Sequence, residues 1–120
     1  MVGEEYGDKD GSNKQDVKQD FEELFQFFGC YFHQDWMCMH NTADEVIQSF
    51  FMESYVDSIL EVRTQIMVLL SSNKKEVELR QFLLSDMYCS YCYWFEWASG
   101  ESWLLHILDL FDRQLLSLKA

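Results

Sequence analysis

Proline is absent from this chain of 120 residues, and glycine and basic residues are scarce. Because proline interrupts helices and marks turns, its absence leaves long helices unobstructed and weighs against a loop-rich β-fold. No apolar run approaches the roughly 18 to 20 residues of a membrane-spanning helix. The first twenty residues lack the basic and apolar blocks of a signal peptide, so we expect a cytoplasmic protein whose four cysteines stay reduced.

Charge is strongly unbalanced, with 21 Asp and Glu against nine Lys and Arg and a formal net charge of −12. A field of this sign repels nucleic acid and anionic membranes and attracts cationic partners. Solubility alone, without any partner, is the other explanation of a high net charge. We therefore expect no nucleic-acid ligand and no membrane association, and a basic protein partner is one of two interpretations of the charge.

Hydrophobic periodicity predicts an all-α fold, a compact bundle of about five helices. Residues 1–15 are polar and predict a disordered tail, and residues 16–120 predict one helical domain. The helices are expected to begin at polar caps, the second at Asn41 or Thr42, a later one at Ser72 or Asn73, and the last at Ser99 or Ser102. Their apolar stripes are Val17, Phe21, Leu24, Phe25 and Phe28; Val46, Ile47, Phe50 and Phe51; Ile59, Val62, Ile66, Leu69 and Leu70; Val77, Phe82, Leu83 and Leu84; and Trp103, Leu104, Ile107, Leu108, Phe111, Leu115 and Leu118.

Cysteine and histidine are the residues most able to carry chemistry here. Cys89 and Cys92 have the CxxC spacing, within an aromatic stretch, residues 88–97, that is compatible with an extended segment or a continuing helix. Cys30 and Cys38 lie beside His33 and His40 with a spacing unlike that of zinc ligands. We interpret the four cysteines as packing residues, with a metal site and a redox pair as the alternatives.

An active site is not predicted. His106 lies among leucines and isoleucine and is interpreted as structural, and the chain has no nucleophile elbow, glycine-rich phosphate loop or calcium loop. We therefore expect no enzyme, no cofactor, no metal and no small-molecule substrate.

Carboxylates stand out at two places. Asp35 lies between His33 and Trp36, and Asp57 and Glu61 form a helical pair preceded by Glu53. With Gln65, that pair predicts a polar ridge on one face of a helix. Such a ridge is either a solvated surface or the place where a cationic surface docks.

The run from Phe21 to Trp36 resembles the opening of the helical immunity proteins of bacterial contact-dependent growth inhibition, the CdiI family. In that family a phenylalanine-rich helix passes through glycine into a YFHQDW motif, and here the motif is complete. The resemblance extends more loosely over residues 20–116, including Ser102 and Trp103 in the last helix, and departs from the family at residues 88–97. The matching motif residues are Tyr31, Phe32, His33, Gln34, Asp35 and Trp36.

The resemblance implies a stoichiometric inhibitor in the bacterial cytoplasm that binds a basic partner, the C-terminal toxin domain of its cognate system. Many such toxins are nucleases with basic clefts. The motif is expected to determine the fold, with His33 and Asp35 bonding to the backbone at the turn. The alternatives are an acidic adaptor or nucleic-acid mimic, and a Cys/His metal-binding module. The expected toxin-binding residues are Asp35, Trp36, Glu53, Asp57 and Glu61.

Overall fold

The computed structural model describes residues 20–119, which form six α-helices and no β-strand. The all-α prediction is confirmed, and the predicted tail at residues 1–15 lies outside the described residues. In that range no helix is long and apolar enough to cross a membrane. The helices are α1 (Glu22–Tyr31), α2 (Trp36–Met39), α3 (Ala43–Glu53), α4 (Val56–Ser71), α5 (Glu76–Gln81) and α6 (Gly100–Lys119), with a π-helical turn at Phe82–Asp86 and a 3₁₀ turn at Tyr93–Phe95.

Aromatic rings supply 11 of the 25 buried hydrophobic side chains among the described residues. Helix α1 packs against α3 and α4, and α4 packs against α6. The Phe27 ring lies 4.8 Å from that of Phe50 and 5.8 Å from that of Phe111, both edge to face. The fully buried Trp103 ring lies 5.5 Å from Phe32 at a right angle. Such ring pairs stabilise a fold by about 0.5 to 1.5 kcal/mol beyond the area that they bury.

Most predicted stripe positions are buried, but three are exposed, and Val17 lies outside the described residues. Val77 is 71% exposed because α5 has fewer than two full turns and presents only Leu79 to the core. Leu84 follows the buried Phe82 and Leu83 in the π-helical turn. Leu118 is 51% exposed because the last turns of α6 extend past the aromatic core.

Two of the predicted caps are confirmed. Thr42 Oγ1 accepts the backbone N–H of Glu45 at 3.1 Å, and Ser99 Oγ accepts that of Ser102 at 3.1 Å. The cap predicted at Ser72 or Asn73 is wrong. Asn73 has a φ of 58°, a left-handed conformation that reverses the chain after α4, and α5 begins only after Lys75.

Residues 88–97 form neither a strand nor a continuing helix. The backbone N–H of Met87 donates to the carbonyl of Phe82, the i to i+5 bond of a π-helical turn. Tyr88 then takes a φ of 54°, which turns the chain back toward the core. The N–H of Ser90 donates to the carbonyl of Phe32 at 2.7 Å, so this segment is tied directly to the turn after α1.

Glu76 joins α5 to the start of α6. Its carboxylate accepts the hydroxyl of Tyr93 at 2.6 Å and the backbone N–H of Gly100 at 2.9 Å. The two helices approach closely here, because a Cβ on Gly100 would lie 2.8 Å from Leu79 Cδ2 and 3.1 Å from the Tyr93 hydroxyl. A larger residue at position 100 would therefore require Leu79 or Tyr93 to shift.

The two helical glycines should respond in opposite ways to replacement by alanine. Gly100→Ala should lower the free energy of unfolding by about 1 to 3 kcal/mol, since the new methyl overpacks the joint. Gly29→Ala should raise it by about 0.5 to 1 kcal/mol, because its Cβ would meet only the Met87 carbonyl at 3.7 Å. Urea unfolding followed by tryptophan fluorescence measures both, and shifts of the same sign would contradict this account.

Candidate interaction surface

The YFHQDW motif divides into buried and exposed residues. Phe32 is fully buried and Trp36 is 8% exposed, and their ring centroids are 6.1 Å apart. Tyr91 packs against both rings, at 5.9 Å and 5.6 Å. Gln34 and Asp35, between them, are exposed. Burial at Trp36 supports a role in the fold and leaves this ring little surface for a partner, whereas Asp35 is accessible.

The remaining motif residues hold the turn between α1 and α2. His33 Nδ1 accepts the backbone N–H of Asp35 at 3.1 Å, which is the side-chain-to-backbone bond expected for His33. The corresponding bond expected for Asp35 is wrong, because its side chain makes no cap bond at the start of α2. The hydroxyl of Tyr31 donates to Glu53 Oε1 at 2.8 Å. The motif is therefore connected to the end of α3 through Glu53, a residue singled out from the sequence for a different reason.

Glu53 is held in place by two donors, since its second carboxylate oxygen accepts the Ser49 hydroxyl at 3.3 Å. Burial raises the pKa of Tyr31 to about 12, and the bond to the Glu53 carboxylate adds to the shift. Tyr31 and Glu53 line a cleft of about 290 Å³ together with Cys30, His33, Met39, His40 and Ser49. The structure thus brings two motif residues and one candidate acid to the same cleft.

Gln65 was predicted to belong to the polar ridge with Asp57 and Glu61, and this is wrong because Gln65 is only 5% exposed. Its Oε1 accepts the backbone N–H of Leu24 at 2.9 Å. That N–H lies in the first turn of α1, where no intrahelical acceptor exists. The Gln65 amide is therefore buried because it supplies the acceptor for the Leu24 N–H. The helical periodicity of the sequence does not reveal this role.

The same amide links two carboxylates. Gln65 Nε2 donates to Glu23 Oε1 at 2.8 Å and to Glu61 Oε2 at 3.2 Å, which uses both of its hydrogens. Glu61 and Asp57 are exposed on α4, one helical turn apart. The bond from the buried Gln65 therefore orients the Glu61 side chain, and the Glu61 carboxylate stays accessible.

Charge is segregated along the chain and in the fold. Residues 20–62 contain nine acids and no Lys or Arg, a pattern visible in the sequence that our prediction did not use. These residues build α1 to α3 and the first half of α4. Arg63 forms an ion pair with Asp112 at 2.6 Å, and Arg113 pairs with Asp109 at 3.0 Å. Residues 20–62 thus contribute a strongly acidic surface.

The cysteines and His106 have separate surroundings. Cys89 is buried, and burial raises the pKa of its thiol to about 12. Cys30 and Cys38 are exposed, so a packing role is wrong for these two, which lie near the end of α1 and in the short α2.

His106 Nε2 lies 3.0 Å from both carboxylate oxygens of Asp44 and connects α6 to α3. Within residues 20–119, no group of three or more His, Cys, Asp or Glu is arranged to hold a metal ion.

Two comparisons find similar proteins. The sequence model of a family described as "CdiI immunity protein" matches residues 20–111. Among solved structures, a chain of the CdiA-CT/CdiI complex from Y. kristensenii is similar, with 30% sequence identity and a TM-score of 0.76. The match covers 80% of this chain and 97% of that one. No curated protein sequence matches the chain.

The Tyr31–Glu53 contact predicts a specific pH dependence. A raised phenol pKa contributes stability that is complete below about pH 10 and is lost as the pH rises through about 12. Tyr31→Phe should therefore be less stable than the wild type at pH 8, and the difference should narrow between pH 10 and 12. Urea unfolding across this range measures it. Ser49→Ala removes the other donor to Glu53 without removing a phenol and should give a constant difference, so a constant difference for Tyr31→Phe would contradict the prediction.

Proposed function

Because the chain belongs to the CdiI immunity protein family, we propose that it binds and neutralises the C-terminal toxin domain of a contact-dependent growth inhibition system. It acts stoichiometrically in the bacterial cytoplasm and carries out no chemical step of its own. The observation that carries the proposal is the family match over residues 20–111. The similarity to a chain of a CdiA-CT/CdiI complex supports it.

The proposed partner is basic and is a nuclease. A nuclease must hold a phosphate backbone, and Lys and Arg in the substrate cleft commonly neutralise its charge. The formal charge of −12 and the nine acids in residues 20–62 provide the complementary field. Opposite fields accelerate the encounter of two proteins and disfavour wrong partners.

The proposed contacts are exposed carboxylates within residues 20–62. Asp57 and Glu61 point in the same direction from α4, because residues four apart share a helix face. Asp35 is exposed on the turn after α1. Glu53 contributes its charge while it is held by Tyr31 and Ser49. Trp36 acts indirectly, since its buried ring anchors the turn that carries Asp35.

Neutralising the α4 carboxylates should slow association with the toxin domain. Asp57→Asn combined with Glu61→Gln removes two charges and leaves an acceptor for the Gln65 amide. We expect the association rate constant at low salt to fall by about three- to tenfold and its salt dependence to flatten, because steering weakens. Stopped-flow mixing with the CdiA C-terminal domain encoded beside this chain's gene measures both effects.

The matched control removes the same net charge elsewhere. Glu78 and Glu101 lie in the first turns of α5 and α6, and Glu101 lines a pocket with Leu69 and Leu70 at the far end of α4. Glu78→Gln with Glu101→Gln should change the association rate by less than about twofold. Equal effects of the two double variants would place the contact elsewhere, and failure of the wild-type protein to bind the toxin domain would overturn the proposed function.

A further inference from the structure

An open apolar groove runs between α4 and α6, with a volume of about 610 Å³. Two side chains of α4 and three of α6 supply its aliphatic lining. Four of the five are between 44% and 66% exposed. The five are Val56, Leu60, Leu115, Leu116 and Leu118.

The groove follows from the geometry of the two helices. On α4 the residues turned to the core include Ile59 and Val62, so the row through Val56 and Leu60 lies beside the buried face. On α6 the buried stripe ends at Phe111, and Leu116 lies more than a turn beyond it. Exposed aliphatic surface gathered in one concave place is typical of interaction sites.

An ion pair spans the groove. Arg63 Nε lies 2.6 Å from Asp112 Oδ1, and both residues line the groove, one from each helix. The guanidinium is therefore already paired with a carboxylate of this chain. The groove therefore offers a partner aliphatic surface rather than a free cation.

The charge beside the groove argues against a second copy of this chain as the occupant. Asp57 is adjacent to Val56 in the sequence and lies on the neighbouring row of α4, which continues to Glu61. Two copies docked through their grooves would bring these acidic rows together, and each copy carries a formal charge of −12. A partner with apolar side chains flanked by Lys or Arg would instead meet opposite charge at the rim.

The extent of the family match is a second, independent observation. The match ends at residue 111, so the α6 wall, with Leu115, Leu116 and Leu118, lies beyond the part described by the family model. The α4 wall lies within it. Proteins that neutralise different partners need surfaces that differ between them, and this wall lies outside the residues that the family model matches.

We infer that the α4–α6 groove receives an apolar segment of the toxin domain that is flanked by basic residues. This inference rests on the proposed function and deepens it, because it adds an apolar anchor to the acidic rim formed by Asp57 and Glu61. Interfaces commonly combine a few desolvated apolar anchors with a polar rim that contributes less to affinity. The groove sets the dissociation rate, and the carboxylates set the association rate.

The test replaces exposed leucines by glutamine in the full chain. Leu116→Gln and Leu60→Gln change one side chain on each wall, and the double variant should raise the Kd for the CdiA C-terminal domain by about 30-fold. The increase should lie mainly in the dissociation rate, with an unchanged salt dependence. Leu105→Gln is the matched control, since Leu105 is 52% exposed on the same helix as Leu116 but outside the groove. It should change the Kd by less than about twofold.

Three outcomes separate this inference from the proposed function. If the wild-type protein does not bind the toxin domain, the proposed function fails and the inference fails with it. If it binds and the groove variants, with unchanged thermal unfolding, bind as tightly as Leu105→Gln, the proposed function stands and the inference is overturned. If sedimentation shows a wild-type dimer that Leu116→Gln dissociates, the occupant is a second copy and the inference is again overturned. A selective loss of affinity in the groove variants of a monomeric protein supports it.

Discussion

The perpendicular contact between the Phe32 and Trp103 rings, 5.5 Å apart, is the interaction on which the other elements of the fold depend. Phe32 ends the first helix and begins the motif turn, and Trp103 belongs to the first turns of the last helix. Tyr91 packs against both rings and brings the irregular segment before α6 into the same cluster. The backbone bond from Ser90 to Phe32 locks that segment in place. Three distant parts of the chain therefore meet at one aromatic centre.

This arrangement separates the residues that maintain the fold from those that are available to a partner. The motif supplies buried rings and a hydrogen-bonded turn, while its exposed carboxylate at Asp35 stays accessible. The core contains one buried polar side chain among the described residues, Gln65, and it is neutral. Because charged groups are costly to bury, the carboxylates remain on the surface. The acidic field is a consequence of that partition.

The sequence was sufficient for the fold class and for the family. Periodicity located the long helices, and short hydroxyl side chains marked two helix starts correctly at Thr42 and Ser99, because both determinants act within one or two turns. The YFHQDW motif identified the family. The exposed acids Asp57 and Glu61 were also found, since residues four apart share a helix face whatever lies around them. Gln65 was misplaced because its acceptor role depends on Leu24, 41 residues away.

The sequence by itself determined the helical frame, the acidic character and the family, since these depend on local spacing and composition. The tertiary structure alone decided which polar group is buried, which leucines remain exposed and how residues 88–97 turn. It also decided that Tyr31 bonds to Glu53 and that Arg63 spans the groove to Asp112. The physical reason is that burial and hydrogen bonding depend on contacts with other residues. The two partners are 22 positions apart in the Tyr31–Glu53 bond and 49 positions apart in the Arg63–Asp112 pair.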